Sequence, residues 1–169
     1  MILPEYKPFD KISRLSRDIV ITEKIDGTNA CIYVDEDLSV NAGSRTRWIT
    51  PEDDNLGFAA WVALNAQDLR LLGPGMHFGE WWGRGIQRNY SQTTRRFSLF
   101  NASRWREDQR PVCCDVVPVI YAGPFEEHGV MVGVKEAMKD LQVNGSYAAP
   151  GFMNPEGIVI WHKAAQTLF

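Results

Sequence analysis

The sequence predicts an α+β domain with antiparallel sheets. Three observations carry that prediction. Several short segments alternate apolar with other residues, two longer segments repeat apolar residues at three- and four-residue spacing, and Asp-Gly, Gly-Pro-Gly and Asn-Gly breaks separate them. Residues 18–34 read as two strands around an Asp26-Gly27 turn, with Ile19 and Ile21, then Ala30, Ile32 and Val34, alternating with their neighbours. Residues 38–42 read as a third strand. Residues 55–70 read as a helix, because Phe58, Trp61, Val62, Ala66 and Leu69 recur at helical spacing and Asp54 or Asn55 can cap it. Gly73-Pro74-Gly75 ends that unit. Strands are expected over 76–81, 96–101 and 116–121, a second helix over 130–142 closed by Asn144-Gly145, and a buried strand over 158–161. No repeat, low-complexity tract or linker interrupts the chain, so 1–169 reads as a single domain.

A domain of 169 residues can bury a sizeable core. Apolar residues at 44% and charged residues at 23% are usual for a soluble globular chain. No apolar run approaches the roughly 20 residues of a membrane span. The start, Met1 to Lys7, lacks the charged region and apolar stretch of a signal peptide. Cys31 and the adjacent Cys113 and Cys114 show neither the even count of a disulfide framework nor the C-x-x-C spacing of a zinc site. The expectation is a reducing, cytoplasmic setting with Cys31 buried. His77, His128 and His162 show no ligand spacing. A net charge of −3 argues against a general nucleic-acid binder, but the charge is uneven. Between Arg84 and Arg110, seven arginines face only Glu107 and Asp108, a surplus of five positive charges. Trp82, Tyr90, Phe97 and Trp105 are interleaved with them. Such a stretch suits phosphate contacts and base stacking, and equally a solvated loop with scattered ion pairs.

The chemistry-bearing residues begin with Thr22-Glu23-Lys24-Ile25-Asp26-Gly27-Thr28-Asn29. Alone, a lysine two residues before Asp-Gly is a strand ending in a turn. Four further segments follow in order: Ser44-Arg45-Thr46, Phe78-Gly79-Glu80-Trp81, Phe97-Ser98-Leu99-Phe100-Asn101 and Glu156-Gly157-Ile158-Val159-Ile160. This ordered set, from about Thr22 to Ile160, resembles the motifs of the covalent nucleotidyltransferases, the superfamily of polynucleotide ligases and mRNA capping enzymes. Its form is similar to that of the ATP-dependent RNA ligase family.

The resemblance implies an ATP-grasp-like nucleotidyltransferase domain: two mainly antiparallel sheets flanked by helices, with the nucleotide between them. It implies that Lys24 takes AMP from ATP and releases pyrophosphate. A free lysine is almost fully protonated at neutral pH, so this nucleophile needs nearby positive charge or desolvation. Glu23 is implied to face the adenine and Asn29 the nucleotide. Read without the resemblance, Glu23 is an exposed strand carboxylate. Arg45 is implied to fork onto the ribose or a 5′-phosphate, a task for a bidentate guanidinium. Glu80 and Glu156 stand among apolar and glycine residues, where a carboxylate is costly without a partner. The implied partners are a ribose hydroxyl for Glu80 and Mg²⁺ or Mn²⁺ for Glu156. Phe100 is implied to stack on the adenine, although core packing is the commoner fate of a strand phenylalanine. Arg47, Arg84, Arg88, Arg95 and Arg96 are the expected polynucleotide contacts. Asp26 reads as a turn residue and Gly27 as a conformational requirement.

The family's next motif is a strand bearing one or two phosphate-contacting lysines, expected after a hairpin beyond Glu156. Lys163 falls at the turn, so the sequence reads as ending just short of that strand. The reading is an ATP-dependent RNA ligase adenylation domain. AMP passes from Lys24 to the 5′-phosphate of RNA or DNA, and a 3′-hydroxyl then displaces it. Further grip on the polynucleotide would come from an additional domain or partner protein, and no membrane is involved. The alternatives are a DNA ligase, a GTP-using capping-type enzyme, and a non-catalytic binder of nucleic-acid ends that keeps the fold.

Overall fold

The computed structural model describes residues 17–106, 108–126 and 131–169. The N-terminal start, Glu107, His128 and the first residue of the expected 130–142 helix lie outside the described residues. In order, the chain forms β1 (Asp18–Lys24), β2 (Thr28–Val34), β3 (Val40–Ser44), β4 (Trp48–Ile49), α1 (Phe58–Leu64), α2 (Ala66–Leu69), β5 (Gly75–Gly83), β6 (Arg95–Leu99), β7 (Cys114–Val116), β8 (Val119–Pro124), α3 (Val132–Asn144), β9 (Gly157–His162) and β10 (Thr167–Leu168). They build a four-stranded sheet, β10-β9-β1-β8, and a six-stranded sheet, β4-β3-β2-β5-β6-β7. Every pairing is antiparallel except β6 with β7. The expected α+β class is what forms.

The two strands around Asp26-Gly27 form as expected, but they do not pair with each other. Both edges of β1 are taken, by β8 and β9, and both edges of β2, by β3 and β5. The turn therefore hands the chain from one sheet to the other. A second crossing corrects the expected 116–121 strand, which is two strands in different sheets. The Val117 N–H donates to the Leu99 carbonyl (3.0 Å) in one sheet, and the next carbonyl, that of Pro118, accepts the Glu23 N–H (3.0 Å) in the other. The third strand runs two residues later than expected because Leu38, at φ 64, belongs to the β2–β3 turn. Strands β4 and β10 are too short for an alternation pattern to reveal.

The expected 55–70 helix breaks at Asn65, whose side-chain amide donates to the Trp61 carbonyl (2.8 Å) and caps α1 instead of continuing it. Asp54 caps the start, accepting the Ala59 and Ala60 N–H groups (2.8 and 3.0 Å). Helix α1 packs Phe58 and Val62 against Ile32, Trp81, Phe97 and Leu99 of the six-stranded sheet. On the four-stranded sheet, Ala137 of α3 meets Ile19 and Ile21. Each sheet thus has one face under a helix, and Ile25, Trp82, Tyr90 and Val117 form a third apolar cluster beside the crossings.

Candidate active site

The remaining sheet faces enclose a cavity of about 1080 Å³, ample for a small ligand. Strand alternation decides what faces it. From the four-stranded sheet come Val20, Thr22, Lys24, Val159, Trp161 and Leu168; from the six-stranded sheet, Asn29, Cys31, Met76, Phe78 and Glu80. Arg45, Phe100 and the loop from Asn101 to Trp105 complete the wall.

Lys24 is the last residue of β1, paired across to Gly157, and its amine is ion-paired with the Glu156 carboxylate. Half of the Lys24 side chain is open to solvent. Glu80 sits opposite Asn29 on the neighbouring strand, only 8% exposed, and accepts a hydrogen bond from the Asn29 side-chain amide (3.2 Å). Burial pushes its carboxyl up to about 7. The negative charges of Glu156 and Asp26 add to that, while the Gly27 backbone and Lys24 oppose it.

The turn after Lys24 is held from outside. The Asp26 N–H donates to the Tyr90 hydroxyl (2.9 Å), and its carboxylate accepts a bond from Arg88 Nε (2.8 Å). Arg88 also donates to the Asn154 carbonyl (3.3 Å), two residues before Glu156. It therefore ties the lysine's turn to the segment that delivers the carboxylate. Tyr90 is fully buried at φ 48, one of four left-handed non-glycine residues between Gln87 and Ser91, and burial pushes its phenol up to about 12. Such backbone persists only where its surroundings fix it. Gly27 is needed for space rather than for an unusual φ: a Cβ there would stand 2.5 Å from the Trp81 carbonyl oxygen and 2.8 Å from Trp82 Cβ.

Lys24, Asn29, Arg45, Glu80, Phe100 and Glu156 all line the one cavity. Glu23 borders it too, but alternation turns its side chain to the α3 side of β1. Its buried carboxylate accepts the Ser146 hydroxyl (2.6 Å) and the Tyr147 and Ala148 N–H groups (2.8 and 2.9 Å). The side chain is taken up by the loop after α3, not presented to a base. Most of the arginines expected to meet a polynucleotide are likewise engaged within the chain. Arg47 is paired with Asp53, Arg88 with Asp26, and Arg96 with Asp115 while lying over the Trp82 ring; Arg95 donates to the Leu56 and Arg84 carbonyls. Arg84 is exposed. Lys163 lies in the β9–β10 turn beside Asp18 (3.7 Å), away from the cavity. His77, given no role from the sequence, borders the cavity from β5, but alternation puts its ring on the other face from Met76 and Phe78, against Trp105 and bonded to the Gly73 carbonyl (2.8 Å). His162 is on the opposite face of β9 from the cavity-lining Trp161. Asp26, Arg88 and Tyr90 emerge as the local framework; the sequence marked Asp26 as a turn residue, and singled out Arg88 and Tyr90 only as part of the arginine-rich, aromatic stretch.

Chemically, the cavity offers an accessible primary amine beside two carboxylates, with the aromatic side chains of Phe78, Phe100 and Trp161 on its walls. No group of three or more His, Cys, Asp or Glu side chains among the described residues forms a ready-made metal cage. No helix among them is long and apolar enough to cross a membrane.

Comparison with known proteins agrees with this fold. No curated protein matches the sequence. Among solved structures, a variant of the Naegleria gruberi RNA ligase with ATP and manganese superposes with a TM-score of 0.61 at 16% identity, covering 91% of this chain and 48% of that one. Another variant of that ligase, with AMP and manganese, gives 0.62 at 15% identity over 99% and 56%. The chain thus spans about half the length of these ligases, and at such identity the likeness is one of fold. The RNA ligase family profile matches residues 17–166, nearly the whole chain. On the ordered motifs, the cavity they share and this match, the chain belongs to the RNA ligase family.

Proposed function

We propose that this chain is the adenylation domain of an ATP-dependent RNA ligase, with Lys24 as the residue that carries AMP. The observation that carries the proposal is the placement of Lys24 at the mouth of the cavity with its amine on Glu156, and with Glu80, Asn29 and Phe100 on the same walls. In this reading the adenine lies against Phe100, the ribose hydroxyls face Glu80 and Asn29, and the α-phosphate lies at Lys24. The lysine ammonium first gives up a proton to water, and the neutral nitrogen then forms a bond to that phosphorus as the bond to pyrophosphate breaks. AMP then passes to the 5′-phosphate of an RNA strand, and a 3′-hydroxyl displaces it to join the ends. Arg45, on the cavity wall, is positioned for the incoming phosphate.

A divalent cation fits the donor set. Mg²⁺ and Mn²⁺ are commonly held by one or two carboxylates with substrate phosphates and water, and Glu156 is the carboxylate nearest the lysine. When bound, the cation would neutralise phosphate charge. The Naegleria structures with ATP or AMP and manganese support this cofactor class.

The test is incubation with α-labelled ATP or GTP and a divalent cation, then denaturing electrophoresis and intact mass. The expected result is a stable adduct of one AMP with ATP only, abolished by Lys24→Ala. A label that survives on the Lys24→Ala protein would overturn the assignment.

A further inference from the structure

The cavity-lining face of the six-stranded sheet continues past the cavity. In β4, Trp48 pairs with Gly43, and Gly43 pairs with Cys31, which lines the cavity. Trp48 is therefore on the same face, two strands further out than Cys31. Its six-membered ring covers Gly43: a Cβ there would come within 3.3 Å of Cε3 and Cζ3. Glycine leaves the indole a bare seat on the backbone. Tyr33, also on this face, lies beside the indole with ring centroids 5.8 Å apart. Yet Trp48 is 53% exposed, and Phe78 and Met76, which line the cavity three strands across on the same face, are 55% and 53% exposed. A seated aromatic ring left this open continues a ligand cavity as an uncovered apolar surface.

The surrounding charge selects what covers it. Arg45 is exposed on the cavity wall, in the β3–β4 turn three residues before Trp48. Arg47, beside Trp48, is held by Asp53, with Glu52 close in sequence, so it adds little free positive charge. At the other end, beyond Tyr33, the β2–β3 turn carries Asp35, Glu36 and Asp37, and Tyr33 donates to Asp35 (3.4 Å). A ligand on this face must direct an anionic group toward Arg45 and a flat uncharged group onto Trp48, away from the acidic turn. One unit of a single-stranded polynucleotide has that distribution.

We infer that Trp48, seated on Gly43 and flanked by Tyr33, is a stacking platform for an unpaired base of the RNA strand, with Arg45 receiving the phosphate that leads from that base into the cavity. The inference rests on the RNA ligase reading above and adds a place for the strand outside the nucleotide cavity. Aromatic platforms serve single strands because every base has a π-face.

The experiment uses the full 169-residue chain and a fluorescent, 5′-phosphorylated, single-stranded oligoribonucleotide, with anisotropy read at one fixed low salt concentration. Trp48→Ala should weaken binding about tenfold, the size of one lost base stack, and Trp48→Phe should keep most of the affinity. Replacing bases one at a time by abasic units should reveal one position that costs the parent chain about the same factor and costs Trp48→Ala nothing further. Labelling of Lys24 by ATP should be equal in all three proteins. A parent chain that is never adenylated overturns the ligase reading itself. An adenylated parent whose affinity is unchanged by Trp48→Ala overturns the platform alone. If Trp48→Ala fails to fold, the abasic series on the parent decides, and a series with no sensitive position overturns the platform. Sedimentation showing a dimer of the parent that Trp48→Phe or Trp48→Ala separates would give the face to a second copy of the chain and overturn the inference.

Discussion

At the scale of single residues, the site's character comes from carboxylates placed where water is scarce. Glu80 is raised from its ordinary 4.5 to about 7, chiefly by burial. The folded chain therefore holds a proton that the unfolded chain releases between those two values, and stability falls as pH rises through that window. The contribution is fully present below about pH 4.5, is lost above about pH 7, and amounts to roughly 3 kcal/mol at most. Glu80→Gln should flatten this dependence. Denaturant midpoints at pH 5 and pH 8 should differ less for the variant than for the parent, and an equal difference would mean that Glu80 titrates normally. Gly27 is the second residue that decides the site by itself. Gly27→Ala drives a methyl group into the Trp81 carbonyl and Trp82 Cβ, which should cost about 1–3 kcal/mol as overpacking does. Urea unfolding measures it.

At the scale of elements, β1 carries two opposite assignments on adjacent residues. Lys24 faces the cavity, and Glu23 is bound into the loop after α3 by three donors. Glu23→Ala leaves those donors unmatched, so thermal unfolding should show a loss of about 2–4 kcal/mol. Nucleotide affinity in the fraction that stays folded should hold. If affinity fell while stability held, Glu23 would be a base contact after all. Arg88 is the matching element on the other side, joining the β1–β2 turn to the strand that follows Asn154. Arg88→Ala should slow single-turnover adenylation about tenfold or more, because it loosens the spacing of Lys24 and Glu156, and misplacement of reacting groups is expensive. Its RNA affinity should barely change. A lost phosphate contact would show the reverse pattern, with weaker binding and a shallower salt dependence.

At the scale of the whole molecule, the cavity is shared between two sheets joined by the β1–β2 turn and the β7–β8 crossing, so a nucleotide bound there touches both. Binding that is restricted to the folded state stabilises it by about 2.7 kcal/mol at a hundred times Kd. For a chain of this length that is a rise in Tm of roughly 5–10 °C. Calorimetry with ATP should show it for the Lys24→Ala variant, in which chemistry is absent but the pocket remains. No shift with ATP, or the same shift with GTP, would contradict the proposed nucleotide.

The sequence by itself determined most of the longer elements and the chemical cast. Alternation is local, so the 76–81 and 158–161 strands and the two apolar helix faces were legible. The ordered motifs singled out Lys24, Asn29, Arg45, Glu80, Phe100 and Glu156, and these six meet in one cavity. Partnership was not legible, because it depends on contacts between residues far apart in the chain. Nothing near Asp26 says that β1 and β2 enter different sheets, since that is decided by which strands fill their edges. Nothing within the arginine-rich stretch says that Arg88 and Arg96 spend their charge on Asp26 and Asp115. Glycine at position 27 looks like a turn requirement in sequence, and only the packed Trp81 and Trp82 show that it is a requirement for space. The tertiary structure alone decided which face Glu23 takes and which charges remain for a ligand, because burial and pairing are properties of the assembled sheets.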